Sequence, residues 1–178
     1  MDLKKYIRAI PDFPKSGITF RDISPLLASP SALAVVIDQM AASLTGMRVD
    51  RVAGLDARGF IFGPLLAARL GVPFVMIRKA GKLPGETVQA GYDLEYGSAT
   101  VEMQRDAVSP GDHVVIVDDL LATGGTLAAA AALVHTLGGI VASHIVLIEL
   151  EAFGGRKVLA PHPVASLLTY GSQKGSVL

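Results

Sequence analysis

The chain has no cysteine in its 178 residues. Disulfide bridges and thiolate metal sites are therefore excluded. An excess of either charge is lacking too, since 16 basic and 16 acidic residues give a formal net charge of zero. No basic stripe or polybasic run is present, so neither nucleic acid nor a membrane surface is expected as a partner. Any attraction for a polyanionic ligand must then be local to a site. The longest apolar runs are of helix or strand length, too short to span a bilayer. Met1 to Tyr6 carries an acid and lacks an apolar core, which gives it no signal-peptide character. A cytoplasmic location is expected. Neither a Walker A lysine loop nor a Gly-x-Gly-x-x-Gly fingerprint occurs, which argues against NTPase and dinucleotide chemistry. His113, His135, His144 and His162 are scattered, without metal spacing or a triad partner. Internal repeats are absent.

What is present is a well-packed globular chain, with 51% apolar and 18% charged residues. Its length suits one domain over residues 1–178. So high an apolar fraction in a small protein also suggests surface left for an oligomer interface.

Residues 114–126 are the most informative stretch. Val114 to Val117 form an aliphatic run that reads as a strand buried on both faces. Asp118 and Asp119 sit where that strand would emerge. Ala122-Thr123-Gly124-Gly125-Thr126 follows as a turn, and Leu127 to Leu133 has helical character. In an open α/β sheet such a strand-to-helix crossing binds ligands, because backbone N–H groups at the helix start hold an anion. Glycine lets the backbone approach a phosphate, and the threonine hydroxyls add donors. Two carboxylates would repel that phosphate, so they make better sense facing sugar hydroxyls or a bound metal. Phosphate, diol and Mg²⁺ together suggest a phosphorylated ribose.

The rest of the chain alternates helix and strand. The first thirty residues, punctuated by Pro11, Pro14, Gly17, Pro25 and Pro30, read as an irregular wrapped arm. Ser29-Pro30 is a helix start, followed by Leu33, Val36, Ile37, Met40 and Leu44 at helical spacing. A strand is expected at 51–55, a helix from about Phe60 to Leu70 closed by Gly71, and strands at 73–77, 141–150 and 164–170. Residues 79–91 contain Gly81, Pro84, Gly85 and Gly91 and lack periodicity, as a mobile lid loop would. Tyr92 to Arg105 alternates around Gly97-Ser98, as a hairpin does. The tail 171–178 is polar and expected to be loose. The pattern predicts an α/β fold with a mainly parallel twisted sheet flanked by helices.

The 117–126 segment resembles the phosphoribosyl-pyrophosphate motif of the type I phosphoribosyltransferases. Further segments match that family in order: Pro11 to Pro14, Gly17 to Pro25, Gly54 to Phe60, Arg78 to Gly85, and Tyr92 to Gly97. The resemblance runs from about Ile10 to Tyr170. Phe20-Arg21-Asp22-Ile23-Ser24-Pro25 and Leu94-Glu95-Tyr96-Gly97 resemble the members that act on adenine. It implies the type I phosphoribosyltransferase fold, with a small hood built from the N-terminal arm, the flexible loop and the hairpin. It implies a purine salvage reaction in which adenine and phosphoribosyl pyrophosphate give AMP and pyrophosphate, in a homodimer. It also implies site residues. Ala122 to Thr126 would cradle the 5′-phosphate, with Asp118 and Asp119 at the ribose hydroxyls. Mg²⁺ would arrive on the substrate pyrophosphate and ribose, without direct protein ligands. Arg58 would contact the pyrophosphate and share in catalysis, and Arg78, Lys79 and Lys82 would neutralise it when the loop closes. Glu95 would do acid/base work near the purine N7. Phe20 and Leu120 would sandwich the base, and backbone at Thr19 and Arg21 would read its 6-amino edge. Two rival readings share the motif: a transferase for an oxopurine, and a non-enzymic sensor of phosphoribosyl pyrophosphate. The loop cations, Glu95 and the lack of an added DNA-binding module favour the enzyme.

Overall fold

The computed structural model describes residues 1–93 and 98–171. Its elements in chain order are β1 (Arg8–Pro11), β2 (Thr19–Asp22), α1 (Ser24–Leu27), α2 (Pro30–Ala42), β3 (Arg51–Leu55), α3 (Gly59–Leu70), β4 (Phe74–Lys79), β5 (Thr87–Asp93), β6 (Ser98–Gln104), β7 (His113–Leu121), α4 (Gly125–Thr136), β8 (Ile140–Leu150), α5 (Gly155–Leu159) and β9 (Val164–Tyr170). Seven strands form the main sheet in the order β5-β6-β4-β3-β7-β8-β9. Strands β4, β3, β7, β8 and β9 pair parallel, whereas β6 pairs antiparallel with both β4 and β5. From β3 the chain crosses to β4 on one side and later to β7 on the other. The order reverses between β3 and β7, and a crevice opens there at the carboxyl ends of the strands.

The motif strand shows why the sheet holds together. Val114, Val115, Ile116 and Val117 are all fully buried, on alternating faces. Val114 and Ile116 join a core with Leu127, Ala130, Leu133 and Val134 of α4. Val115 and Val117 join a second core with Val36 and Met40 of α2 and Phe62 and Leu66 of α3. Each aliphatic side chain buried this way contributes roughly 1.5–3 kcal/mol of transfer free energy. Helix ends follow local chemistry. The Ser29 hydroxyl accepts from the Ala32 N–H at the start of α2, and Gly71 closes α3 with φ of 70°. Among the described residues no helix is long and apolar enough to cross a membrane.

Two segments differ from the sequence reading. The first thirty residues are more regular than an irregular arm. They contain a 3-10 turn at Leu3–Tyr6, the antiparallel pair β1–β2 and the short helix α1. The expected mobile loop at 79–91 is shorter. Thr87 to Gly91 belong to β5 and pair with Thr100 to Gln104 of β6. The remaining turn is anchored by the buried Glu102, whose carboxylate accepts from the Lys82 and Leu83 N–H groups, both at 2.8 Å. It also accepts from the Thr87 hydroxyl and the Gln89 amide, both at 3.3 Å. The N–H of Leu83, more than any other partner, holds the Glu102 carboxyl below its usual range. Glycines and prolines masked this segment in the sequence because its anchor lies about twenty residues downstream. The expected tail lies outside the described residues beyond Gly171.

Candidate active site

The parallel strands bring their carboxyl ends to one edge of the sheet. β7 runs past its core into Asp118 and Asp119, then turns through Ala122 to Gly124 into α4. Gly124 adopts φ of 87°, a left-handed conformation that L side chains rarely adopt. No side chain caps α4, so its first-turn N–H groups are open to an anion. Arg58, Asp118, Asp119, Leu120 and the turn 122–126 line one cleft of about 250 Å³.

The acidic pair is held inside this cleft. Asp119 is 3% exposed, and its Oδ2 lies 3.0 Å from Arg58 Nε. Asp118 Oδ1 accepts from the Asp119 N–H at 2.9 Å. Burial, reinforced by the neighbouring Asp119 charge, pushes the Asp118 carboxyl well above the usual carboxylate range. Burial also raises Asp119, against the pull of Arg58. Carboxyl oxygens held at the cleft can accept hydrogen bonds from a diol. Among the described residues no group of three or more His, Asp or Glu side chains converges to enclose a metal ion. The acidic pair suits a place beside Mg²⁺ that arrives on the substrate and keeps water and substrate oxygens as its ligands.

Beside this cleft lies a second one, of about 370 Å³, lined by Pro14, Lys15, Ile18, Thr19, Phe20, Arg21, Arg58, Leu120 and Leu150. Arg58 and Leu120 belong to both. The arm forms the outer wall. Phe20 packs edge-on against Phe13 with ring centroids 5.4 Å apart, and the Arg58 guanidinium lies 5.7 Å from the Phe20 ring. Arg21 stacks its own guanidinium over Tyr170 at 4.1 Å, which ties β2 of the arm to the end of β9. The side chain of Arg21 is thus engaged with the protein, and its backbone lies in β2 opposite Ala9. An apolar slot with an aromatic wall and backbone groups at its rim suits a flat heterocycle.

Arg58 opens α3 from the loop after β3, where the Asp56–Ala57 peptide is cis. Gly59 must be glycine, since a Cβ there would meet the Val117 carbonyl oxygen at 2.6 Å and Asp118 Cα at 3.4 Å. That close approach seats Arg58 against the acidic pair. Arg78 donates from Nε to Asp56 Oδ2 at 2.9 Å and from Nη1 to the Lys82 carbonyl at 3.2 Å. It therefore braces the loop before Arg58, and with Lys79 and Lys82 it lies outside the linings of both clefts. Lys79 and Lys82 are exposed. Glu95, together with Tyr96, lies outside the described residues.

The structure thus brings together Thr19, Phe20, Arg21, Arg58, Asp118, Asp119, Leu120 and Ala122 to Thr126. Sequence reasoning missed Leu150 and Ile18 as cleft walls. Leu150 ends β8 beside the motif strand, so extending the carboxyl-edge argument by one strand would have found it.

Comparison with known proteins agrees with this geometry. Residues 22–158 match the phosphoribosyl transferase domain family. The adenine phosphoribosyltransferase of Agathobacter rectalis is 52% identical over 168 residues, covering 94% of this chain and 97% of that protein. The solved structure of the Thermoanaerobacter pseudethanolicus adenine phosphoribosyltransferase superposes with a TM-score of 0.93 at 52% identity, over 95% of this chain and 98% of that one. The Saccharomyces cerevisiae enzyme, solved with an imino-altritol bisphosphate and adenine, gives 0.89 at 42% identity, over 94% and 97% of the two chains.

Proposed function

The chain belongs to the phosphoribosyltransferase family, among its adenine phosphoribosyltransferases, and from that premise we propose how its two clefts divide the reaction. Adenine and phosphoribosyl pyrophosphate give AMP and pyrophosphate. The observation that carries the assignment is the junction of an aromatic-walled slot with a glycine-rich anion cradle at Arg58 and Leu120. A base in one and a ribose phosphate in the other meet at the anomeric carbon.

In this reading the turn Ala122 to Thr126 and the start of α4 hold the 5′-phosphate, and Asp118 and Asp119 bind the 2′- and 3′-hydroxyls. Displacement at the anomeric carbon passes through an oxocarbenium-like state, so catalysis is mostly positioning and electrostatic stabilisation. Arg58 leaves Asp119 to meet the pyrophosphate. Lys79 at the end of β4 and Lys82 in the 80–86 turn add charge, and Arg78 keeps Asp56 in place. Mg²⁺, when bound, neutralises pyrophosphate charge, with substrate oxygens as its main ligands and the acidic pair nearby. The base lies between Phe20 and Leu120. The Arg21 carbonyl accepts from its 6-amino group, a contact that a 6-oxo purine cannot make. Glu95 is assigned the proton balance at N7 on its motif alone.

The test is pyrophosphate release with phosphoribosyl pyrophosphate and Mg²⁺, comparing adenine with hypoxanthine, guanine and xanthine. Turnover with adenine alone is expected. Turnover with an oxopurine would sink the roles of the arm while leaving the cradle intact.

A homodimer is proposed as the working form, in the cytoplasm. Leu65 of α3 and Met76 of β4 are each 42% exposed in the single chain, apolar surface that a second copy would cover. Sedimentation equilibrium at micromolar concentration should give twice the chain mass, and Leu65→Lys should lower it. A wild-type monomer would overturn this assembly.

A further inference from the structure

The glycine-rich turn that forms the cradle does not stand alone. Its rear surface packs on the start of α5, backbone against backbone. A Cβ on Gly124 would lie 2.8 Å from the Gly155 carbonyl oxygen and 3.2 Å from Gly155 Cα. In return, a Cβ on Gly155 would overlap the Ala122 carbonyl oxygen and approach Gly124 N to 3.0 Å. The Leu121 and Val158 side chains flank this contact, and the backbones themselves meet, so a shift of α5 passes to the cradle.

A helix of five residues cannot hold its own place. Arg156, the residue after Gly155, fixes it to two strands. Its Nε and Nη2 donate to the two oxygens of Glu149, at 3.0 and 2.5 Å. Nη1 donates to the Val164 carbonyl at 2.7 Å, and Nη2 also reaches Ser166 Oγ at 3.0 Å. The Ser166 hydroxyl donates to the same carboxylate. Glu149 is buried on β8 and stands in register with Leu121, the last residue of β7 before the cradle. The two-pronged guanidinium–carboxylate fork is geometrically exacting, unlike a lysine contact.

We propose that Glu149, Arg156 and Ser166 are positioning residues for the ribose-phosphate substrate: they clamp α5 so that Gly155 sets the shape of the phosphate cradle. The inference rests on reading residues 122–126 as that cradle. An ordinary surface ion pair would contribute a little stability and leave substrate affinity alone. The clamp instead predicts a selective effect, because the arm supplies most of the base slot's wall and only Leu150, next to Glu149 on β8, links that slot to the clamp.

The experiment is steady-state kinetics on the full chain, well below its unfolding temperature, for wild type, Arg156→Ala, Arg156→Lys, Ser166→Ala and Gly155→Ala. Binding of ribose 5-phosphate, which has only the cradle and diol contacts, is measured alongside by calorimetry. Arg156→Ala and Gly155→Ala should raise KM for phosphoribosyl pyrophosphate about tenfold or more. KM for adenine should stay within about twofold, and ribose 5-phosphate should weaken in parallel. Arg156→Lys should fail to restore the wild-type value, since it keeps charge but not the fork. Ser166→Ala, which removes one hydroxyl, should give a smaller shift in the same direction and keeps the test open if Arg156→Ala does not fold. Unchanged KM with a lowered unfolding temperature would reduce the cluster to a stabilising ion pair and overturn the inference. Wild-type protein that binds no ribose 5-phosphate would instead bring down the cradle reading itself.

Discussion

At the scale of single residues, the site is built from groups held in states that water would not allow them. Asp118 is the clearest case, because burial and its neighbour disfavour its charge. A carboxyl whose folded pKa is raised costs stability once the pH exceeds its unfolded value. Asp118→Asn removes that cost and keeps an oxygen to accept from the Asp119 N–H. The substitution should stabilise the protein by about 1 kcal/mol. It should also weaken binding of phosphoribosyl pyrophosphate, because an amide does not replace the carboxyl at the diol. Thermal unfolding and ribose 5-phosphate titration check the two halves. A variant both less stable and equally tight would refute the account. The acidic pair and the glycine turn were legible in sequence because their spacing is local. The ion pair from Asp119 to Arg58 was not, since it joins residues about sixty apart through sheet pairing.

Among the elements, the 80–86 turn shows how a long-range anchor changes what a segment is. Glycine and proline made it look like a lid, yet Glu102 ties both ends of it to β6. Glu102→Ala leaves the Lys82 and Leu83 N–H groups without their acceptor. A loss of about 2 kcal/mol follows from unmade hydrogen bonds of this kind. The unfolding midpoint should fall by about 4–8 °C. Hydrogen exchange at the amides of Lys82 and Leu83 should speed up more than elsewhere in the sheet. Equal protection in variant and wild type would show the turn to be held by other contacts. The elements themselves were mostly readable: α2, α3, β7 and β9 lie where periodicity, caps and aliphatic runs put them. The β1–β2 pair escaped because four-residue strands are too short to show a period.

For the molecule as a whole, one buried histidine shapes the response to acid. His144 of β8 is fully buried, neither ring nitrogen has a hydrogen-bond partner among the described residues, and burial, with His162 adding, lowers its pKa to about 4. Below its ordinary value near 6.5 the unfolded chain takes up a proton that the folded chain refuses. Stability is therefore lost as pH falls from 6.5 towards 4, by on the order of 3 kcal/mol in total. The raised carboxyls of Asp118 and Asp119 act in the opposite sense, so the comparison must be made against His144→Leu. Subtracting the two stability curves, from denaturant unfolding at each pH, should leave a slope confined to that window. A flat difference would mean that His144 is protonated in the folded state.

By itself the sequence determined the chemistry on offer and the class of fold. Buried-strand runs, helix caps and the Asp-Asp-to-glycine turn act over a few residues, and local sterics and periodicity suffice to read them. Only the tertiary structure decided which distant groups meet. It set Arg58 between two clefts, seated α5 behind the cradle, and gave Leu150 to the base slot. Those contacts depend on strand order and on register, where a slip of one residue would turn every side chain to the opposite face.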